Sequence, residues 1–362
     1  MKLGFALIGC GRIAQNHVNA LAAIPDADLL AVCDLDISKA KKLVEGTDVP
    51  YFSNYHEMIK KVKPDVVNII TPSGMHATHV IDIIQTYGKH VVVEKPMALR
   101  VEDCERMIEC AERHKVQLHV VLQNRFNRAV RKLREGIENG LFGKLVLGTV
   151  RLRWCRPQRY YDQAPWRGTW GFDGGALTNQ AIHHIDLLQW MFGEVTEVSA
   201  VAATQLVRVE VEDTAAAWLR FKNGALGIIE ATTAARPDDL EASLSILGEK
   251  GTAIVEGSSV NRLTTWSFSQ QDLNELSEDP PNVYGFGHLP FLESVIHSIL
   301  NGEAPLIGGK EAIKSVALLH AIYRSIETGG TVRPIDRPRS GKFGIIDPDL
   351  QNIYKQYLTP SP

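Results

Sequence analysis

The first third of the chain alternates short apolar runs with amphipathic stretches, and this alternation constrains the fold more than any other feature of the sequence. Between Leu3 and about Val121, helix-like stretches separate apolar runs rich in Val, Ile and Leu. These runs are LGFALIG, DLLAVCD, PDVVNIIT, HVVVEK and QLHVV. Strand–helix–strand alternation predicts a parallel sheet wrapped by helices, and nearly continuous apolar strands are typical of a sheet covered on both faces.

After Asn124 the pattern changes to long alternating segments separated by turn residues, which predict antiparallel strands of one open sheet. An Asn-Gly pair in FKNGAL supplies a hairpin turn between two of them. Helices are predicted over 125–139, 177–191, 289–301 and 310–328. The fold class is therefore α/β, with an N-terminal domain over residues 1–123, an α+β domain with a large open, mainly antiparallel sheet over 124–335, and an irregular tail over 336–362.

Composition excludes several classes of function. The chain has 362 residues and a formal net charge of −3, so no global field favours nucleic acid or an anionic membrane as a partner. Met1 and Lys2 lead straight into a strand pattern with no long apolar stretch, and we therefore expect a cytoplasmic protein. The five cysteines include no C-x-x-C pair, which favours reduced thiols and gives no support for a metal site.

The junction after the first strand carries a glycine-rich turn, Gly9-Cys10-Gly11-Arg12-Ile13-Ala14, followed at once by a helix. Such glycines let the backbone approach a pyrophosphate, which then lies on the N–H groups of Gly11, Arg12 and Ile13 at the helix start. Alone, the pattern is equally typical of a plain strand-to-helix turn. Asp34 ends the second strand, where an acid accepts the ribose hydroxyls and repels a 2′-phosphate, so the pair predicts a Rossmann domain that binds NAD.

Two further strand ends are predicted to line the nucleotide crevice, because ligands of doubly wound sheets gather at the carboxyl ends of the strands. The first is TPSGMH, with Thr71, Pro72 and His76 near the cofactor. The second is Glu94-Lys95-Pro96, where proline fixes how the chain leaves the strand. A lysine beside a cationic nicotinamide would have its pKa lowered toward a range useful for proton transfer.

The sequence resembles the glucose-fructose oxidoreductase, inositol dehydrogenase and rhizopine-catabolism (Gfo/Idh/MocA) family over nearly the whole chain. The features that carry the resemblance are a GxGxxA turn, an acid after strand two, TP-x-x-x-H, EKP and an open-sheet second domain. The resemblance implies that Lys95 holds or deprotonates a substrate hydroxyl next to the nicotinamide. It also implies that Gln123, in QNRFN, lies between cofactor and sugar, and that the protein is a homodimer or homotetramer.

The family's second signature is present as Gly174-Gly175-Ala-Leu-Thr-Asn179, followed by His183 and Asp186. On one α-helix, positions 179, 183 and 186 share a face, so a proton-accepting histidine would lie beside its orienting partners. Many members have aspartate where this chain has Asn179, and an amide cannot carry a proton, so acid–base work falls on Lys95 and His183. A core histidine is the alternative interpretation of His183, and Asp186 could simply brace the helix.

Residues 151–175 are dense in arginine and aromatic side chains. Arg151 and Arg153 fit a solvated strand face, whereas Arg156, Arg159, Tyr160 and Arg167 fall in an irregular segment suited to an anionic substrate. Several short motifs resemble the UDP-N-acetyl-2-amino-2-deoxyglucuronate 3-dehydrogenase branch of the family. These motifs are RPQ-x-YYD, WRGTW, DGG, NQ-x-x-H, VEDT, ILGEKGT and YGFGH. That resemblance implies oxidation of the C3 hydroxyl of a nucleotide-linked uronic acid, with Lys95, Asn179 and His183 also contacting the sugar.

Two alternatives remain open from the sequence. One is an NAD-dependent dehydrogenase of a free sugar or cyclitol, which would leave the arginines unexplained. The other is a ligand-sensing protein on the same fold without chemistry, which an intact Lys95 and His183 disfavour. For assembly, the exposed face of the second-domain sheet is expected to carry Val198, Ala200 and Ile229 and to associate with another sheet.

Overall fold

The computed structural model describes residues 2–268, 273–280 and 282–349. Two compact units divide the chain. The first comprises residues 2–122 and 288–313, and the second comprises 123–287 and 314–349. Part of the predicted tail, residues 350–362, lies outside the described residues.

The first unit is built on a parallel six-stranded sheet with the order β3-β2-β1-β4-β5-β6. Its strands are β1 Leu3–Ile8, β2 Ala27–Cys33, β3 Tyr51–Phe52, β4 Val66–Ile69, β5 His90–Val93 and β6 Leu118–Val120. Its helices are α1 Ala14–Ala23, α2 Ile37–Leu43, α3 Tyr55–Val62, α4 His76–Tyr87, α5 Val101–His114 and α9 His288–Asn301. This strand order confirms the doubly wound Rossmann prediction, and the order reverses between β1 and β4.

The second unit carries a seven-stranded sheet with the order β13-β12-β11-β7-β10-β9-β8. Its strands are β7 Leu145–Arg153, β8 Val195–Ala203, β9 Thr214–Phe221, β10 Leu226–Thr232, β11 Glu241–Gly248, β12 Thr252–Glu256 and β13 Arg262–Trp266. Its helices are α6 Arg128–Glu138, α7 Gln158–Tyr161 and α8 Ile182–Phe192, and most of α10 Gly309–Thr328 belongs to it. The sheet is mainly antiparallel as predicted, with one parallel pair, β7 beside β10.

The division of the chain differs from the predicted continuous second domain over 124–335. Helix α9 packs against α1 in the first unit, and Val120 of β6 donates its N–H to the carbonyl of Ile307 at 3.0 Å. Phe291, Leu292 and Val295 of α9 are buried. The sequence places an apolar helix here, but an apolar stripe does not say which core it covers, so the return of the chain was not foreseen.

The expected apolar face of the second sheet is also corrected. Val198, Ala200 and Ile229 are buried, because they point to the face that the helices cover. Alternation puts their neighbours on the opposite face, where Val201, Trp218 and Ile228 are exposed. Arg153 on that face pairs with Glu230 and Glu241, as a solvated strand surface predicts.

Across the described ranges, no helix combines the length and apolarity needed to cross a membrane. All five cysteines are free thiols. Cys10, Cys33, Cys104 and Cys110 are buried, in keeping with their interpretation as small apolar side chains.

Candidate active site

The glycine turn lies at the point where the strand order of the first sheet reverses. Gly9 has φ +99°, and a Cβ there would be 2.5 Å from the carbonyl oxygen of Ile70 at the end of β4. Around Gly11, by contrast, no atom of the described residues beyond its two chain neighbours lies within 4 Å of an added Cβ. One glycine is therefore required by the fold, and the other keeps open the space above the turn that a pyrophosphate needs.

Asp34 is fixed against this turn. Its carboxylate accepts hydrogen bonds from the N–H of Cys10 at 2.7 Å and of Asp36 at 2.9 Å. The first helix has no side-chain cap at Ile13 among the described residues. The N–H groups of Ala14 and Asn16 bond to the carbonyls of Gly11 and Ile13, so a ligand would use the N–H groups of the turn itself. The glycine turn, the helix start and the half-buried acid fit the pyrophosphate and ribose of NAD. The residues that would bind these groups are Gly9, Gly11, Arg12, Ile13 and Asp34.

His76 braces the crevice from within. Its Nδ1 is 2.8 Å from the carbonyl oxygen of Pro96 and its Nε2 is 2.9 Å from that of Thr71. Burial lowers the pKa of His76, so the neutral ring donates to one of these carbonyls at a time. It thereby links the segment after β4, which includes Pro72, to the segment after β5. The place of Thr71, Pro72 and His76 near the cofactor stays a prediction.

Glu94, at the end of β5, is buried between two histidines. Its buried carboxylate is 2.9 Å from Nε2 of His17 and 3.7 Å from Nε2 of His288. Despite the cost of burial, these two histidines hold the pKa of Glu94 well below its usual range. The carboxylate also accepts from the N–H of Lys95 at 3.2 Å, so Glu94 anchors the turn that carries Lys95, and its contact with the cofactor stays a prediction.

His17, Glu94 and His288 also form a compact donor set, with ligand atoms all within 4.8 Å of one another. Sequence spacing could not reveal this set, since its members come from α1, the end of β5 and α9. The 2.9 Å contact between His17 and Glu94 is shorter than the separation of about 3.3 Å between two ligands of one tetrahedral Zn²⁺. Asn68 additionally contacts Nδ1 of His17 at 3.1 Å, so we interpret the cluster as a hydrogen-bond network.

In the second unit, the predicted single helix over 177–191 begins with a π-turn, which holds more residues per turn than an α-helix. Residues Ala176–Gln180 form one π-turn, in which the N–H of Ala181 bonds to the carbonyl of Ala176 at 2.9 Å, and α8 follows from Ile182. The spacing argument that placed Asn179 on one α-helical face with His183 and Asp186 therefore does not apply. His183 is buried on α8, and Asn179 is half-buried on the π-turn before it.

Two neighbours of His183 have structural roles. Asp186 accepts two hydrogen bonds from Arg125 and one from Ser315, confirming that it braces the helix. Burial lowers the pKa of His184 to about 4, and its ring packs edge-on against Trp154, so it is a neutral core histidine.

The arginines predicted to bind an anion differ in what they contact. Arg156 pairs with Asp239 at 2.8 Å, and its charge is partly neutralised. Arg159 is exposed. Arg167 stacks on Tyr160 and Trp166 and donates to the hydroxyl of Tyr160 at 2.8 Å.

Arg167 has an additional donor available. Within the part of the chain that the structure describes, its buried Nε has no hydrogen-bond partner. An unsatisfied buried N–H of a guanidinium is the group that an oxyanion of a ligand would pair with.

Glu212 is a buried carboxyl that sequence reasoning quoted in VEDT but did not single out. One of its oxygens accepts from the N–H of Leu177 and from the hydroxyl of Tyr323, both at 3.0 Å. Its second oxygen lies against Gly175, where any side chain would collide with it. Burial raises the pKa of Glu212 to about 7.

Gln123 begins a short 3₁₀ turn, Gln123–Phe126, at the start of the second unit. The side chain is buried, and its carbonyl oxygen has no partner among the described residues. It remains a predicted cofactor contact.

Comparisons with known proteins agree with this architecture. Residues 3–122 match the family model of the Gfo/Idh/MocA oxidoreductases described as their NAD-binding Rossmann fold, and residues 134–333 match the model of their C-terminal alpha/beta domain. Among solved structures, the WlbA dehydrogenase of Bordetella pertussis in complex with NADH and UDP-GlcNAcA is 42% identical, with a TM-score of 0.86 over 92% of this chain and 97% of that one. The Chromobacterium violaceum WlbA dehydrogenase, with the same two ligands, is 42% identical over 92% of this chain and 96% of that one, with a TM-score of 0.84. The myo-inositol 2-dehydrogenase of Thermotoga maritima is 29% identical over 92% of this chain and 98% of that protein.

Fold, glycine turn and relatives together define an NAD-dependent sugar dehydrogenase. The chain belongs to the Gfo/Idh/MocA oxidoreductase family.

Proposed function

We propose that this dehydrogenase oxidises the C3 hydroxyl of UDP-N-acetylglucosaminuronic acid (UDP-GlcNAcA) to the 3-keto sugar. The observation that carries the proposal is the 42% identity, over 92% of the chain, to two dehydrogenases crystallised with NADH and UDP-GlcNAcA. Arg167 supports it, because its buried Nε offers an anionic ligand an unsatisfied donor beside Tyr160.

Two side chains are candidates for moving the hydroxyl proton. His183 on α8 is the proposed acceptor, since a neutral imidazole accepts a proton near neutral pH. Lys95 is the proposed group that polarises the same oxygen, and its backbone is fixed by the bond from its N–H to Glu94. Bound NAD would supply the hydride acceptor, held by the glycine turn and Asp34.

Asn179, Arg156 and Arg159 are proposed substrate contacts with different strengths of support. Asn179 offers amide donors and acceptors but no proton. Arg156 already contacts Asp239, so we expect it to hold its loop more than to bind charge. Arg159 is exposed, so its guanidinium is accessible to a phosphate or carboxylate.

A second candidate is a free cyclitol, favoured by the similarity to myo-inositol 2-dehydrogenase at 29% identity. It would use Lys95 and His183 in the same way. It gives no role to the buried donor of Arg167, because an uncharged polyol needs no guanidinium partner.

The two candidates are separated by mixing purified protein and NAD with UDP-GlcNAcA, UDP-GlcNAc or myo-inositol, and following NADH absorbance and product mass. We expect a loss of two hydrogens from the uronate alone. Oxidation of myo-inositol in its place would transfer the proposal to the second candidate. Catalysis on none of the three would contradict both.

We also propose self-association through the exposed face of the seven-stranded sheet, as a dimer or tetramer. Val201 is 71% exposed there, and Trp218 and Ile228 lie on the same face. Exposed apolar side chains on one sheet face are typical of an interaction surface. Light scattering after size-exclusion chromatography should give a mass well above the 40.1 kDa of one chain, and Val201→Arg should reduce it. A monomeric wild type would contradict this.

A further inference from the structure

Asp173 is a buried carboxylate directly before the Gly174-Gly175 turn, and neither the sequence motifs nor the relatives assign it a role. Its side chain is 1% exposed. One oxygen accepts a hydrogen bond from the N–H of Gly168 at 2.7 Å, and the other accepts a short hydrogen bond from the side-chain amide of Asn179. A buried charge with two donors is held firmly, so Asp173 offers Asn179 a fixed partner.

The other end of the Asn179 amide is held as well. Its oxygen accepts from the side-chain amide of Gln180, which is also 3.2 Å from the hydroxyl of Tyr160. The same hydroxyl accepts from Arg167 at 2.8 Å. The contacts form one chain from Asp173 through Asn179, Gln180 and Tyr160 to Arg167. Turning the Asn179 amide over would set oxygen against carboxylate and N–H against N–H, so the network allows one orientation.

We propose that Asp173 is a positioning residue that fixes the Asn179 amide, with Gln180 as its second support, and that its carboxylate is the physical reason for an amide at position 179. The inference rests on the proposed function, in which Asn179 contacts the sugar. An aspartate at 179 would face Asp173 at hydrogen-bonding distance, where two carboxylates cannot both ionise without a large cost. This chain, which carries Asp173, therefore needs an amide at position 179, where many family members have an acid.

The test compares kcat/KM for UDP-GlcNAcA and NAD across pH in Asn179→Asp, Asp173→Asn and the double variant Asp173→Asn/Asn179→Asp. Asn179→Asp should lose about 10- to 100-fold at neutral and higher pH, the loss expected from one hydrogen bond to a charged group. Activity should rise again toward acid, where the two carboxylates share a proton. The double variant restores one carboxylate and one amide, and should recover most of the loss with a flat profile.

Two results would overturn the proposal: Asn179→Asp with a wild-type profile, or a double variant no more active than Asn179→Asp. If Asn179→Asp fails to fold, Asp173→Asn decides, with an expected loss of about tenfold in kcat/KM at unchanged NAD affinity, and an unchanged value overturns it. Glu210→Gln is the matched control, because this exposed carboxylate accepts from the N–H of Trp170 in the same segment. It should leave kcat/KM unchanged.

Failure of the proposed function is recognised separately, by a wild type that oxidises none of the sugars. The network is then tested by thermal unfolding of the same variants. Asn179→Asp should lower Tm more at pH 8 than at pH 5, and the double variant should remove that difference. Equal Tm losses at both pH values would overturn the proposed pairing.

Discussion

Arg125 and Asp186 form a bidentate ion pair, with both nitrogen–oxygen distances 2.7 Å and both side chains buried. Removing one charge of such a pair strands the other in a low-dielectric interior, which costs about 3–5 kcal/mol. We expect Asp186→Asn to lower the stability of the second unit by that amount in urea unfolding. Glu230→Gln, which breaks the half-exposed pair with Arg153, should cost at most about 1 kcal/mol. Equal effects of the two substitutions would contradict the role of Asp186.

Glu212 should make stability depend on pH between its unfolded and folded pKa values. Burial raises its pKa from 4.5 to about 7 in the folded protein, so the unfolded chain releases this proton first as pH rises. The contribution of the protonated carboxyl to the free energy of unfolding is complete below pH 4.5 and is lost as pH rises through about 7. The pKa shift corresponds to about 3 kcal/mol of this free energy.

Glu212→Gln keeps an acceptor for Leu177 and Tyr323 but has no proton to release. Urea midpoints measured from pH 4.5 to 8 should fall in the wild type and change less in this variant. A wild-type slope retained in Glu212→Gln would show that another group is responsible.

The two glycines of the cofactor turn should separate folding from binding. Gly9→Ala forces φ +99° on an alanine and sets its Cβ 2.5 Å from a carbonyl oxygen, so we expect about 1–3 kcal/mol of destabilisation. Gly11→Ala meets no atom within 4 Å and should stay within about 0.5 kcal/mol of wild type. Calorimetric titration with NAD should nevertheless show weaker binding, because the new methyl group enters the pyrophosphate space. Wild-type NAD affinity in Gly11→Ala would remove that glycine from the cofactor set.

Lys95→Ala and His183→Ala should each lower kcat by about 10²- to 10⁴-fold, the usual contribution of a general acid or base. NAD affinity should change little in either variant, as measured by fluorescence titration. His184→Gln is the matched control for His183, since it alters a neutral histidine on the same helix that packs against Trp154. If either alanine variant keeps near-normal kcat, the residue it replaces has no role in proton transfer. If His184→Gln lowers kcat as much as His183→Ala, the role of His183 is likewise contradicted.

Much of the fold was readable from the sequence because strong periodicity marks its elements. Helix α5 lies between the apolar runs HVVVEK and QLHVV, where a helix-like stretch was predicted, and the strand ends at Gly9, Thr71 and Glu94 lie where the parallel sheet requires. The two-residue strand Tyr51–Phe52 and helix α3 were missed, since a strand so short has no alternation to detect.

The site was harder to predict, because its contacts join residues far apart in the chain. Glu94 points into the protein because His17 and His288 approach it from α1 and α9, which no local pattern shows. The π-turn at Ala176–Gln180 breaks the helical spacing that had aligned Asn179 with His183. Asp173 is the aspartate of the quoted DGG motif, yet its contact with Asn179 depends on that same turn.

The most direct test of the proposed reaction is single-turnover transfer from UDP-GlcNAcA carrying deuterium at C3 of the sugar. The protein is used in stoichiometric amount with NAD, and the nucleotides are then extracted and weighed by mass spectrometry, which also detects NADH that stays bound. We predict that the deuterium appears in the reduced nicotinamide and that the sugar product is its 3-keto form. Unlabelled NADH, or a sugar product that retains deuterium at C3, would contradict oxidation at C3.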